Sequence, residues 1–417
     1  MVSEHTRALA KKISEKARPV FDRIDAVAEK NAEKMLAAFQ KNRVSAAHLV
    51  GTTGYGTDDM GRDTLDQIFA DVFHTESGIC RSQFVSGTHT ITCAIAGILR
   101  PGDTVISAFG PPYDTLQSVL GVTGNAPGNL KEMGITYLQV DETPELKPDI
   151  PGICQAVKTP GAKLLMIQRS RGYSLRDALT VAEIGEVISA AKAANPDILV
   201  FVDNCYGEFV EELEPTDVGA DIMAGSLIKN AGGGIAPTGG YIVGRKDLVD
   251  MAAMRLTCPG IGREYGCTQD VNRLLYQGFF MAPHVAAQAL KTAVFCAGAM
   301  EELGYHTFPS MDAYRGDIVQ TIQFGSPERL AAFCRGIQMG SPVDSYVAPE
   351  FWPMAGYQDD VIMAAGAFVQ GASIELSADG PKREPYMAYM QGGITFESGK
   401  MGIMLALDQL LKIEGTI

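Results

Sequence analysis

Five consecutive apolar residues, Ile198 to Val202, stand between a helix-closing Pro196 and the carboxylate of Asp203. A strand with one wet face alternates apolar and polar residues. An uninterrupted run this short describes a strand buried on both faces, as in a parallel sheet covered by helices. The residues upstream agree. Thr180-x-x-Glu183 is a capping box, in which hydroxyl and carboxylate each accept an orphan N–H of a first helical turn. Behind it Val181, Ile184, Val187, Ile188 and Ala191 form one apolar stripe at helical spacing. Similar signals repeat from residue 81. Strands are expected at Arg81–Val85, Thr104–Ala108, Lys163–Gln168, Asp221–Ala224 and Gly240–Val243, with a helix over Thr90–Leu99 stopped by Pro101-Gly102. The alternation predicts an α/β fold with a mainly parallel sheet.

The flanks differ from this middle. From Ser3 to Asn42 the chain is rich in Ala, Lys and Glu, and Ile24, Val27, Ala28, Ala32, Met35 and Phe39 recur at helical spacing. A helical N-terminal arm over residues 1–50 is expected, followed by a large sheet domain over 51–284. After Pro283 come a long helix (Val285–Leu303), a mixed region and an amphipathic helix (Met401–Ile413). They predict a smaller α+β domain over 285–417.

Bulk chemistry narrows the function. With 35 Lys and Arg against 49 Asp and Glu, the net charge is −14, which disfavours nucleic acid and anionic lipid as partners. The eight cysteines include no C-x-x-C pair, and the six histidines no H-E-x-x-H, so no metal site is expected. The N-terminal stretch is charged and lacks the apolar core of a signal peptide, and no apolar run reaches the ~18 residues of a membrane span. The expected location is the cytoplasm, with thiols reduced.

Parallel sheets place ligands at the carboxyl ends of their strands. Asp203 directly follows the apolar run, and alone it reads as an N-cap or surface acid. Lys229 follows 26 residues later (229 − 203) within Ser226-Leu227-Ile228-Lys229-Asn230-Ala231-Gly232-Gly233-Gly234, and alone it reads as a solvated loop lysine. Its glycines come after the lysine, which excludes a P-loop. Together the pair meets the needs of a pyridoxal 5′-phosphate (PLP) enzyme: an amine for the Schiff base, and a carboxylate that keeps the pyridine nitrogen protonated. Ser86-Gly87-Thr88-His89-Thr90 joins a strand to a helix, and its N–H groups suit the phosphate. Gly87 allows close approach, Thr88 lies in the same turn, and Ser226 adds a hydroxyl. Tyr113 follows the strand ending near Ala108, where its ring can stack on the cofactor and its hydroxyl can carry protons.

These stretches resemble the cystathionine γ-synthase / methionine γ-lyase group of PLP enzymes, and within it the branch named for aluminium resistance or methionine γ-lyase. The resemblance rests on Gly54–Asp63, Arg81–Ile91, Val202–Gly207, Asp221–Gly234, Gly366–Tyr386 and Gln391–Thr395, and covers nearly the whole chain. It implies fold type I, the aspartate aminotransferase-like fold of PLP-dependent transferases. Lys229 is implied as Schiff-base lysine and proton shuttle, Asp203 as partner of the ring nitrogen, Tyr113 as the stacked ring, and Gly87, Thr88 and Ser226 as phosphate ligands. Tyr55 resembles the family tyrosine that reaches a neighbouring subunit's phosphate, which implies a homodimer or homotetramer with a shared active site.

Two positions depart from the family pattern. The lyases carry Y-x-R near the arm, but Tyr55 is followed by Gly56-Thr57, leaving the arginine missing or moved to Arg62. Their substrate-carboxylate arginine is replaced here by Gln391-Gly392-Gly393-Ile394-Thr395. Arg383 is the candidate substitute, with Arg169 and Arg171 as others. The implied activity is carbon–sulfur lysis of a small sulfur-containing amino acid, of the cystathionine β-lyase or methionine γ-lyase kind. Alternatives are other PLP chemistry (aminotransferase, aldolase, racemase) or a non-catalytic stress or metal-resistance role.

Overall fold

A proline sets the first break in the chain. Pro19 has no N–H for the carbonyl four residues back, and its ring collides with it. The arm expected as one helix is therefore two, α1 (Glu4–Lys16) and α2 (Arg18–Lys41). This is seen in a computed structural model, which describes residues 2–124, 126–354 and 359–416. The chain continues through α3 (Met60–Val72), β1 (Ser77–Arg81), α4 (Gly87–Ile98), β2 (Thr104–Ser107), α5 (Asp114–Leu120) and β3 (Thr136–Gln139). Next come α6 (Ile150–Ala156), β4 (Ala162–Gln168), α7 (Val181–Ala194), β5 (Leu199–Asp203), β6 (Ile222–Ser226), β7 (Gly240–Gly244) and α8 (Lys246–Leu256). Two expectations shift. The first strand lies four residues earlier than Arg81–Val85, and α4 begins at Gly87 because Ser86, not a later residue, caps it by accepting from His89 N–H.

These strands form one sheet in the order β1-β7-β6-β5-β4-β2-β3. The pairings β3–β2–β4–β5–β6 are parallel, and β7 runs antiparallel to both β6 and β1. The apolar run behaves as its pattern requires. Val200 and Val202 pack with Leu165, Ile167 and Val243 on one face, while Leu199 and Phe201 pack with Leu164, Met166 and Ile242 on the other. Helices α3, α7 and α9 (Asn272–Glu302) supply the first face, and α4, α5 and α8 the second. The chain leaves β2 toward β3 on one side and returns through β4 on the other. A topological switch point therefore opens between the carboxyl ends of β2 and β4, where such sheets bind ligands.

The remaining elements are β8 (His306–Phe308), β9 (Gln320–Gln323), α10 (Pro327–Met339), β10 (Val361–Ala364), β11 (Ser377–Pro381), β12 (Met387–Gln391) and α11 (Phe396–Ile413). The five strands form a second sheet, antiparallel throughout, in the order β10-β11-β12-β9-β8. Its core joins residues of α1, α9, α10 and α11, so the N-terminal arm is buried against the C-terminal part of the chain. Ser3 and Thr6 both hydrogen-bond Asp408 of α11, at 2.8 and 2.5 Å, fixing that contact. Among the described residues no helix is long and apolar enough to cross a membrane.

Candidate active site

Strand ends bring the sequence-predicted residues together. A cavity of about 220 Å³ opens at the switch point, lined by Gly87, Thr88, Tyr113, Asp203, Ser226 and Lys229, each named from sequence. Asp203 is the last residue of β5, buried, and its Oδ1 accepts from the N–H of Cys205 at 3.1 Å. Burial raises its pKa, and the Lys229 ammonium opposes that rise. Lys229 follows β6, with Nζ 4.0 Å from the centre of the Tyr206 ring. Burial alone would weaken its ammonium. The acidic groups around it, Cys205 and Tyr206 first and then Asp203 and Glu208, outweigh burial and raise its pKa.

The anion cradle is the start of α4. Ser86 spends its oxygen on the N–H of His89 (3.1 Å), and Gly87 and Thr88 form the first helical positions with their N–H groups beyond the helix's own ladder. Thr88 is held by Thr115 across a 2.7 Å hydroxyl contact. A Cβ placed on Gly87 would lie 3.3 Å from Ser226 Cβ and 3.8 Å from Cys205 Sγ, so glycine keeps this space open. Ser226 Oγ is fully buried and has no hydrogen-bond partner among the described residues. A buried hydroxyl left unpaired is costly, and a phosphate oxygen would satisfy it.

Tyr113 opens α5, and its backbone N–H donates to Gln168 Oε1 at 2.7 Å, which ties it to the end of β4. Other lining residues escaped the sequence reading, Gln168, Cys205 and Tyr206 among them. Gln168 ends a strand, which is a usable signal. Cys205 and Tyr206 are placed by the turn after β5, where Tyr206 has φ +71°, a conformation that composition does not announce. The hydroxyl of Tyr206 accepts from Ser373 at 3.1 Å, tying the cavity to the C-terminal part of the chain.

The remaining candidates lie elsewhere. Tyr55 is 70% exposed, stacks on Tyr265 at 4.7 Å between ring centres, and does not line this chain's cavity. Arg62 is buried and donates to the carbonyls of Gly56 (2.7 Å) and Gly266 (3.2 Å), so it holds the Tyr55 loop in place. Arg169 is consumed by Glu211, Asn204, Gly207 and Leu179. Arg171 is buried between the lining residues Ser170 and Gly172. Its Nη2 pairs with Asp177 at 3.3 Å, while Nε and Nη1 have no partner among the described residues. Arg383 lies outside the cavity, on the surface of an adjoining polar pocket, where it donates to Asp359 at 2.9 Å.

A lysine and an aspartate at adjacent strand ends, facing an anion cradle on a mainly parallel sheet, define the fold-type I class of PLP-dependent enzymes. The chain belongs to the methionine gamma-lyase family, whose pattern it matches over residues 6–411. It is 50% identical over 394 residues to the uncharacterized protein YnbB of Bacillus subtilis, covering 94% of this chain and 93% of that one. It is 49% identical to a solved structure from Clostridium novyi, named as a carbon-sulfur lyase involved in aluminum resistance. That match has a TM-score of 0.95 and covers 98% of this chain and 96% of the other. The fold extends to a cystathionine gamma synthase from Xanthomonas oryzae, 17% identical, with a TM-score of 0.59 over 94% of this chain and 99% of the other.

Proposed function

We propose that this chain is a PLP-dependent carbon–sulfur lyase acting on a small sulfur-containing amino acid, of the cystathionine β-lyase or methionine γ-lyase kind. The observation that carries the reading is the convergence of Lys229, Asp203, Gly87 and an unpaired Ser226 hydroxyl on one cavity. PLP, when bound, supplies an electron sink that stabilises negative charge at a substrate Cα. Lys229 would hold it covalently and would be the amine that takes the Cα proton. Asp203, at the end of β5, would pair with the ring nitrogen, while Gly87, Thr88 and Ser226 would bind the phosphate. Tyr113, whose backbone is tied to Gln168, would cover the ring, and its hydroxyl could protonate a leaving thiolate. Arg171, whose chain neighbours Ser170 and Gly172 line the cavity, is the candidate guanidinium for the substrate's α-carboxylate.

The net reaction consumes one water and releases a thiol, a 2-oxo acid and ammonia. Cofactor-loaded protein incubated with cystathionine, methionine, cysteine and homocysteine should produce all three from at least one of them. Silence on the whole panel would overturn the reading. The exposed Tyr55 supports assembly as a homodimer or homotetramer in which one subunit's Tyr55 completes its neighbour's phosphate site. The eight unpaired cysteines suit a reducing cytoplasm.

A further inference from the structure

A carboxyl group that the proposed chemistry leaves unused lies beneath the strand that leads to Lys229. Residues of β6 alternate between the faces of the sheet, with Met223 in the core under α3 and α9 and Ala224 in the core under α4. Ser226 falls on the side of Ala224, and Gly225 on the side of Met223. A Cβ placed on Gly225 would lie 2.4 Å from Glu208 Oε1 and 2.7 Å from the Tyr241 hydroxyl, so the glycine makes room for both groups against the strand. Glu208 is fully buried, and its Oε1 accepts from Tyr241 at 2.9 Å. Its Oε2 has no partner among the described residues. Its backbone carbonyl accepts at 3.0 Å from the side chain of Asn230, the residue after Lys229.

The two buried glutamates of this turn differ in how their charge is met. Glu214 accepts from the N–H of Phe209 at 2.8 Å and from Asn204 at 2.9 Å, and the Arg169 guanidinium stands 3.5 Å away. The Glu208 carboxyl accepts from a neutral phenol. On its far side the Tyr241 ring packs on Phe69 and Phe73 of α3, and Phe279 of α9 stacks on Phe69, so these helices bring rings to the cluster. Burial pushes the Glu208 carboxyl up to about 8, and Glu214 adds to the rise. The Tyr241 hydroxyl and the Lys229 charge oppose it. The Cys205 thiol, on the same turn, is kept neutral by burial and by the charges of Asp203 and Glu208. Lys229 is thus the cation that acts on Glu208, and Glu208 is one of the groups that hold the Lys229 ammonium. With Asp203 given to the ring nitrogen, Glu208 is the carboxylate left to balance charge on the lysine nitrogen.

We propose that Glu208 is a positioning residue that acts through Lys229: a buried counter-ion beneath the Lys229–PLP linkage that keeps the proton on the lysine nitrogen. A cofactor carbon bonded to a protonated nitrogen is the more electrophilic one, so the form that Glu208 favours is the form a substrate amine attacks. Gly225 and Tyr241 serve the same end, the first by admitting the carboxyl and the second by favouring its ionised state. The inference rests on the proposed binding of PLP to Lys229.

The visible absorption of PLP-loaded protein, titrated through the neutral and alkaline range, reads the proton on the linkage without turnover. Removing a negative charge beside a cation eases loss of its proton, so Glu208→Gln, which keeps an acceptor for Tyr241, should lower the midpoint by about one pH unit. Tyr241→Phe withdraws a donor that favours the carboxylate and should shift the midpoint the same way by less. Combined with Glu208→Gln it should shift nothing further, because the charge through which it acts is gone. Affinity for 4′-deoxypyridoxine 5′-phosphate, which lacks the aldehyde and forms no bond to lysine, should stay at the parent level in all three variants. A midpoint unmoved by Glu208→Gln, a Tyr241→Phe shift that persists beside Glu208→Gln, or a matching loss of affinity for the deoxy analogue would each overturn the role. A parent protein that forms no visible band with PLP would overturn the cofactor reading and this role together, whereas a band whose midpoint ignores Glu208 overturns the role alone.

Discussion

Lys229 and Asp203 face the same cavity with different tasks, and substitution should separate them. Borohydride reduction of cofactor-loaded protein should fix the chromophore to Lys229, as peptide mapping would show. Lys229→Ala should lose this capture while keeping some non-covalent affinity, because Asp203, Tyr113 and the cradle remain. If Asp203 has the proposed role of supporting the ring as an electron sink, Asp203→Ala should lower turnover more than cofactor content. A label on another lysine would remove the central assignment. Asp379 makes a different kind of prediction. Burial pushes its carboxyl up to about 7, and the Tyr173 hydroxyl offsets that only in part. In the unfolded chain an aspartate titrates near ~3.9. Between these values the folded state holds a proton that the unfolded state has lost, so stability falls as pH rises from about 4 to about 7 and levels off above. Asp379→Asn should flatten the stability difference between pH 5 and pH 8 by about 2 kcal/mol, read from urea midpoints at the two pH values. An unchanged slope would mean that Asp379 is already ionised at pH 5.

At the scale of the element, the proposed phosphate role of Gly87 at the start of α4 would be served at the helix's expense. Glycine is a poor helix former, so Gly87→Ala should leave stability equal or raise it by up to about 1 kcal/mol. The added methyl would stand between Ser226 and Cys205, and PLP affinity should fall by about tenfold, equivalent to ~1.4 kcal/mol. Opposite signs in a melting experiment on apoprotein and a cofactor titration would tie the glycine to the cradle; a loss of both would make it structural. The same contrast explains what the sequence disclosed. β5 and the capped helix before it were legible because burial on both faces leaves an unbroken apolar run and the cap uses specific side chains. β3 was missed: its four residues, Thr136–Gln139, are exposed or half-buried, with no apolar run to reveal them. The second sheet was left as a mixed region because strands such as Ser377–Pro381, which reads SADGP, carry no strand propensity of their own. Their neighbours in the sheet hold them, and neighbours far along the chain leave no local signal. The site divides in the same way. Residues that end strands could be read from sequence, whereas Tyr206, turned by a positive φ, and the place of Arg383 outside the main cavity required the fold.

At the scale of the whole molecule, Tyr55, named from sequence for a phosphate site, has no place in its own chain's cavity. Tyr55 sits on a loop between Gly54 and Gly56, held from behind by Arg62, with its ring exposed against Tyr265. Val85 is 78% exposed immediately before the Ser86-Gly87 turn, so an apolar residue also lies open beside the phosphate cradle. A second copy that covers Val85 and brings its Tyr55 to the cradle would account for both exposures. The consequence is measurable by mixing. Tyr55→Phe leaves Lys229 intact, and Lys229→Ala leaves Tyr55 intact. If each site draws on both subunits, a mixed dimer contains one site with Lys229 from one chain and Tyr55 from the other. Unfolding and refolding the two inactive variants together with PLP should then restore turnover well above that of either alone, and sedimentation should show the recovered activity in a dimer or larger assembly. Separate refolding followed by mixing should restore less, because preformed dimers exchange slowly when their interface is extensive. Recovery in neither case, with both variants dimeric and correctly folded, would confine Tyr55 to its own chain and leave the phosphate to Gly87, Thr88 and Ser226.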